Sequence, residues 1–237
     1  KPLASIVTPS MRPQNQAHVL RQYEQQSYPC KELVYVFNGD AGQIPSLPTD
    51  RQDIRIVHVP REYSTGMVMN AGLQEAKGEY VFKLDDDDLY GNHYVADRMI
   101  YFREFDIIAS GTIRSFFVFK GDEEAFSLNR HKPRQDCIAS SFGNVEYSLS
   151  SFTGATISMS RAHALALAYQ EQAYAYADVS FLYKNIFFAP SSGCVNMDRL
   201  NFCVQRGNPQ DHTWAASRDD LLRMGKGEVV RVEKIFL

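Results

Sequence analysis

From Ala4 to Leu84 the chain alternates short β-branched apolar runs with helix-patterned stretches, and this alternation restricts its fold more than any other feature. Residues 4–8, "ASIVT", form the first such run, closed by Pro9, and 14–26 place Val19, Leu20 and Tyr23 on one helical face. A second strand reads at 32–37, "ELVYVF", followed by a loop rich in Gly, Pro and Asp over 38–53 and a third strand at 54–59, "IRIVHV". Ser64 or Thr65 caps a helix that runs to about Lys77, where Gly78 stops it, and a strand follows at 79–84. Strand, helix, strand, strand, helix, strand predicts an α/β layer fold with a mostly parallel sheet. In such a fold, ligands bind beyond the carboxyl ends of the strands.

The remainder continues the same domain. Residues 91–104 read as a helix, 106–119 as two extended pieces around Gly111, and 120–150 as polar sequence without clear periodicity. A strand is predicted at 155–159, "ATISM", then an Ala/Leu-rich helix at 161–170 and a further helix from near Asp178. Neither an internal repeat nor a low-complexity linker divides the 237 residues, and 44% hydrophobic content with 22% charged residues suits one sizeable core. A formal charge of −3 offers no broad basic field, so no nucleic-acid partner is expected. Cys30, Cys137, Cys194 and Cys203 are too widely spaced for a zinc knuckle or a dense disulfide framework, which points to a reducing cytoplasm. No signal peptide is expected, and no membrane span, since the apolar stretch "FDIIASGTIRSFFVFKGDEE" is broken by Arg114. With Lys as its first residue, the sequence is expected to be a domain of a longer protein.

At the end of the fourth strand stand four consecutive carboxylates, Asp85 to Asp88, in "YVFKLDDDDLY". Like charges so placed need a cation or open water to take up their field. On an extended strand end, residues two apart point the same way, so Asp85 and Asp87 are expected to face one pocket while Asp86 points elsewhere. Two hard oxygen ligands on one side suit Mg²⁺ or Mn²⁺; the competing reading is a solvated acidic turn that caps the helix beginning near Gly91.

The blocks "ASIVTPSMRP", "NAGLQEAKGEYVFKLDDDDLY", "FTGATISMSR" and "YADVSFL" together resemble the family 2 glycosyltransferases of the GT-A fold. The resemblance covers most of the chain, and residues 70–90 are its most specific part. It implies one Rossmann-like GT-A domain over 1–237, with a nucleotide-sugar-binding half at 1–110 and an acceptor-binding half with the C-terminal segment at 111–237. It also implies an inverting enzyme that moves a sugar from a nucleotide diphosphate donor, expected to be UDP-linked, to a carbohydrate or lipid-linked acceptor hydroxyl. Bacterial surface polysaccharide or glycoconjugate assembly is the implied setting, at the cytoplasmic face of the membrane with peripheral association. Asp85-Asp86-Asp87 matches the Asp-x-Asp motif, with Asp85 near the donor and Asp87 the direct ligand of a divalent metal. The physics agrees, because a bound cation stabilises the charge that a departing nucleoside diphosphate gains.

Thr8, Pro9 and Arg12 match the strand end that borders the nucleotide base, although Pro9 could equally stop a strand and Arg12 equally be solvated. Asn38 stands where many relatives carry an Asp that bonds the base, and also fits a turn in "NGD". Asn70 lies in the shared "NAGL" block, with donor contact and helix joining both open. For the base that takes the acceptor proton, the resemblance points to Asp178, which is also a plausible helix N-cap; Ala177 replaces the acidic residue usual before it. Gly154 and Thr153 in "FTGAT" match the acceptor floor, with Thr156 a weaker candidate. With the Asp-x-Asp motif the resemblance makes His212 in "DHTW" a third metal ligand, an isolated surface His being the local alternative, and imidazole suits Mn²⁺ better than Mg²⁺. Trp214 is a stacking candidate, and Arg199 and Arg206 are phosphate candidates. The Gln-x-x-Arg-Trp motif of processive synthases is absent from the sequence, so single-residue transfer is expected. Two other classes compete. A nucleotidyltransferase would need a Gly-bearing phosphate loop after the first strand, which "TPSMRPQNQ" lacks, and a noncatalytic binding domain would not be expected to keep Asp85, Asp87, Asp178 and His212.

Overall fold

Strands buried on both faces need apolar side chains at every position, and the first half of the sequence supplies four such runs. They become β1 (Ala4–Ser10), β2 (Lys31–Asn38), β3 (Ile54–Val59) and β4 (Tyr80–Lys83). The computed structural model describes residues 1–237 apart from 49, 106, 113–114, 129–137, 140–145, 148–151, 173–176, 179–192, 198–199, 209, 211–215 and 237. After β4 come β5 (Leu89–Tyr90), β6 (Ile107–Thr112), β7 (Phe116–Phe119), β8 (Glu124–Leu128), β9 (Ile138–Ala139) and β10 (Glu146–Tyr147). β11 (Ser158–Ser160), β12 (Gly193–Met197), β13 (Phe202–Arg206) and β14 (Lys226–Arg231) complete the strands. The helices are α1 (Gln16–Gln25), α2 (Thr65–Glu75), α3 (Tyr94–Glu104), α4 (Arg161–Leu167) and α5 (Arg218–Arg223).

Seven strands form the central sheet in the order β12-β6-β11-β4-β1-β2-β3, with β11 the one antiparallel member. A five-stranded sheet, β14-β8-β7-β13-β5, lies beyond it. Strands from both sides of residue 110 take part in each sheet. Because the acidic residues join β4 to β5, they span from the first sheet to the second.

Alternation along the strands sorts the core. Ile6, Leu33, Tyr35 and Phe82 pack with Tyr23, Tyr94 and Phe102 on one face, while Val7, Val34 and Val36 pack with Val68, Met69 and Leu73 of α2 on the other. Helix α2 lies close because residue 72 is glycine: a Cβ there would come within 2.6 Å of Val7 Cγ1 and 2.8 Å of Val36 Cγ2. Its start follows from Ser64, whose Oγ accepts the Met67 N–H at 3.2 Å, so Ser64 rather than Thr65 is the cap.

The expected α/β fold with its mostly parallel sheet is present, and 54–59 is a strand over the predicted range. Three details differ. β1 runs through Pro9 to Ser10, and Gly111 lies inside β6. Residues 155–156, read as the beginning of a strand, belong to a tight 3₁₀ turn over 154–156, and the strand starts at Ser158. The turn wins because Thr156 Oγ1 donates to Thr153 O at 2.7 Å and accepts the Thr112 N–H at 2.9 Å, a tertiary bond that local β propensity does not foresee.

Candidate active site

β4 stops at Lys83 and the backbone turns at 86–88, yet exposure alternates as expected, with Asp85 and Asp87 half-buried and Asp86 and Asp88 buried. The carboxylates pair differently. Asp86 is the most deeply buried of the first three and accepts from Ser10 Oγ and from Arg12, whose Nε lies 3.0 Å from its Oδ2. The same guanidinium reaches Asp87 Oδ2 through Nη1 at 2.9 Å. Asp85 turns instead to Lys83, whose Nζ lies 2.6 Å from its Oδ1. Buried Asp88 accepts the Gln205 N–H at 3.0 Å and so ties the turn to β13, while His18 Nε2 lies 2.9 Å from its carbonyl.

A carboxylate from far along the chain joins this group. Asp178 Oδ2 stands 3.4 Å from Lys83 Nζ, so one ammonium serves Asp85 and Asp178 together. Asp178 is seated against the 154–156 turn: a Cβ on Gly154 would fall 2.7 Å from its carboxyl carbon and 2.9 Å from its own Cβ. The volume a side chain at 154 would occupy is therefore filled by the Asp178 carboxylate. Tyr90 locks both supports, since its hydroxyl accepts the Asp85 N–H at 2.8 Å and donates to Ala155 O at 2.9 Å. The other oxygen, Asp178 Oδ1, is buried and has no hydrogen-bond partner among the described residues.

Electrostatics follows from this sharing. Burial alone would lower the Lys83 pKa, but the charges of Asp178 and Asp85 outweigh it and raise it. Each carboxylate has only part of one cation. Burial therefore lifts the Asp178 pKa above the ordinary value, Lys83 opposes the shift and Asp85 adds to it. Asp86 is raised by burial against the pull of Arg12, and Asp88 well above the carboxylate range by burial and the charges of Asp87 and Asp85.

The other predicted residues fall around this centre. Buried Thr8 and half-buried Pro9 lie at the carboxyl end of β1, in register with Tyr35 and Val36, and buried Asn38 ends β2 with its amide donating to Pro60 O. Asn70 clamps the chain after α4, donating to Tyr169 O at 3.0 Å and accepting the Tyr169 N–H at 2.7 Å, which is the helix-joining arrangement. Thr153 Oγ1 pairs with Ser115 Oγ at 2.7 Å beside the turn. Half-buried Arg206 closes β13. His212, Trp214 and Arg199 lie outside the described residues, as does the helix predicted beyond Asp178, of which residues 177–178 are helical.

Residues 14–159 match the family model described as Glycosyl transferase family 2, more than half of the chain. The chain belongs to that family. The crystal structure of S. aureus TarS 1–349 is similar, with a TM-score of 0.63 at 15% identity over 88% of this chain and 61% of that one. TarS 1–349 in complex with UDP-GlcNAc gives 0.61 at 14% identity over 86% and 58%. The mannosyltransferase PcManGT from Pyrobaculum calidifontis, in complex with GDP-Man and Mn²⁺, gives 0.59 at 14% identity over 89% and 58%. These likenesses establish the GT-A fold, and the family 2 chain spans less than two thirds of the length of those structures. No curated protein matches it.

The family 2 chain presents a donor set that fits a hard divalent cation. The side chains of Asp85 and Asp87 are 31% and 16% exposed, whereas that of Asp86 is 2% exposed, so the two outer carboxylates are the ones that reach the rim. No group of three or more His, Cys, Asp or Glu side chains suited to a metal occurs among the described residues. Two carboxylates with phosphate oxygens and water are the usual set for Mg²⁺. Sequence reading passed over Lys83, Ser10, Tyr90 and Asp88. For Lys83 a signal was present, a lone charge at the end of the apolar run "YVFKL".

Proposed function

We propose that this chain is an inverting, non-processive glycosyltransferase domain that moves a sugar from a nucleoside diphosphate donor, UDP-linked, to an acceptor hydroxyl. The acceptor is a carbohydrate or lipid-linked glycan of surface polysaccharide or glycoconjugate assembly. The domain works at the cytoplasmic membrane face by peripheral association; no described helix is long and apolar enough to cross a membrane. One observation carries the reading: Asp178, distant in sequence, shares the Lys83 ammonium with Asp85 at the carboxyl end of β4.

In this reading the acceptor oxygen bonds to the anomeric carbon while the bond from that carbon to the diphosphate oxygen breaks. The hydroxyl proton passes to the Asp178 carboxylate, and the electron pair of the broken bond stays on the diphosphate. A base with a raised pKa suits that proton transfer better than an ordinary surface carboxylate. Asp87 and Asp85, with His212 as third ligand, would hold Mn²⁺ or Mg²⁺, which when bound offsets the charge gained by the diphosphate. Thr8, Pro9 and Asn38 border the base, and Arg12 and Asp86 sit on the donor side of the turn.

The test is release of UDP or GDP from UDP- and GDP-sugars, with and without Mn²⁺, for wild type and Asp178→Asn. A fall of about two to four orders of magnitude with UDP binding retained is expected. An Asp178→Asn protein that turns over at the wild-type rate removes Asp178 from the reaction. Pyrophosphate released in place of UDP or GDP would mark a nucleotidyltransferase.

A further inference from the structure

A lysine whose side chain is 6% exposed is costly unless its charge is met, because an ammonium taken from water loses several kcal/mol of hydration. Lys83 also occupies a position that packing alone would give to an apolar residue. Its neighbours around a small cavity are Val7, Met69, Leu73, Ile157, Met159 and Tyr169. The Lys83 N–H is fixed by Ile157 O at 2.9 Å, so the stem leaves the sheet in one direction. At its tip the ammonium meets Asp85 Oδ1 at 2.6 Å and Asp178 Oδ2 at 3.4 Å. Asp85 is itself pinned through its backbone by Tyr90, so the short contact anchors Lys83 and the longer one reaches across to Asp178.

We propose that Lys83 is a positioning residue: anchored by Asp85, its ammonium holds the Asp178 carboxylate by Oδ2 against the Gly154 turn, beside Asp85 at the end of β4. The inference rests on the reading of Asp178 as the base. Three contacts then fix the carboxylate: the ammonium at Oδ2, the close face of Gly154 at the same oxygen and the carboxyl carbon, and the backbone of the helical residues 177–178. None of them engages Oδ1. The device also explains why a buried cation stands beside an acidic turn that already has Arg12: Arg12 reaches Asp86 and Asp87, and among the described cations Lys83 reaches Asp178.

Two measurements test it together. In the first, melting temperatures are taken for wild type, Lys83→Met, Asp178→Asn and the double variant. A working clamp makes Lys83→Met less damaging in the Asp178→Asn background than in wild type, whereas equal losses in the two backgrounds mean that Lys83 does not hold Asp178 and overturn the proposal. In the second, kcat and KM are measured with UDP-GlcNAc and GDP-mannose, read as released UDP or GDP, beside calorimetric binding of UDP and GDP. Lys83→Met is expected to lower kcat by about 10²-fold with donor KM and nucleotide binding little changed, and Lys83→Arg to recover part of the loss. A Lys83→Met protein that keeps the wild-type kcat overturns the proposal, as does one whose loss lies wholly in KM. Failure of the underlying reading has a different signature: Asp178→Asn would itself turn over at the wild-type rate, whatever Lys83→Met does.

Discussion

Gly154→Ala isolates the placement of Asp178 from its chemistry. The backbone of residue 154 suits alanine, since its φ lies outside the left-handed region, so the whole effect comes from the added methyl. That methyl would sit 2.7 Å from the Asp178 carboxyl carbon and 2.9 Å from its Cβ. Ordinary carbon contacts begin at about 3.5 Å, so the carboxylate must retreat by about 1 Å. Overpacking of this kind costs about 1–3 kcal/mol of stability. A 1 Å displacement of a reacting group costs up to about 10² in rate, which is about 2.7 kcal/mol of barrier. The assay is kcat and acceptor KM with a UDP- or GDP-sugar, corrected for folded fraction by thermal melts. Gly72→Ala serves as the comparison, because its methyl would meet Val7 and Val36 between α2 and the sheet. It should show a similar loss of melting temperature and an unchanged kcat per folded molecule. If Gly154→Ala keeps the wild-type kcat, or raises only the acceptor KM, its glycine makes room for a sugar rather than for Asp178. If Gly72→Ala is equally slow, the loss of rate reports general destabilisation.

Further outcomes concern pH and the α2 clamp. Because burial raises the pKa of Asp178, kcat/KM should fall on acidification at a pH above the ordinary carboxylate value of 3.8, a limb that Asp178→Asn loses; a profile with no such limb counts against the base. Asp53 is held down to about 2 by its hydrogen bond from Arg51, burial opposing and Tyr23 assisting. A depressed carboxylate stabilises the fold above its unfolded value of 3.8, and that contribution is lost as pH falls toward about 2. With Arg51 and Asp53 each more than a third exposed, solvent screening limits it to about 1 kcal/mol, so the stability gap between wild type and Asp53→Asn should close across that window in urea melts. Ser64 caps α2 and also donates to Glu171 O, so Ser64→Ala should cost about 1–2 kcal/mol, read by melting temperature, with a smaller loss showing that the cap is dispensable.

How much the sequence disclosed depended on how local the physics was. β3 was readable to the residue because "IRIVHV" is bounded by a polar loop on one side and Pro60 on the other, and the start of α2 was readable from Ser64. β5 was not, since two residues make no periodic signal, and they become a strand only by pairing with Phe202 and Cys203. Of the carboxylates, the alternation of exposure was legible and the ion pairs were not: Asp85 and Asp87 are the more exposed, but Asp86 and Asp87 share Arg12 across the turn. Read alone, the acidic run offers only a metal or water as partners. Side-chain cations from residues 12 and 83 were a third choice, visible only once β1 and β4 are seen to be adjacent.

The order in which those partners are made has a consequence for biosynthesis. Arg12 and Lys83 both precede the turn they neutralise, so a nascent chain that has just exposed Asp85–Asp88 to the cytosol already carries their counter-ions, and β1 and β4 can close without waiting for later sequence. At about 5–20 residues per second, some seconds pass before Asp178 emerges from the ribosome. During that interval Lys83 has Asp85 alone, a simple ion pair that is enough to keep the half-made protein from exposing an uncompensated charge in its interior. Of the Lys83, Asp85 and Asp178 group, Asp178 is thus the last to arrive, and it docks onto a cation that already has its first partner.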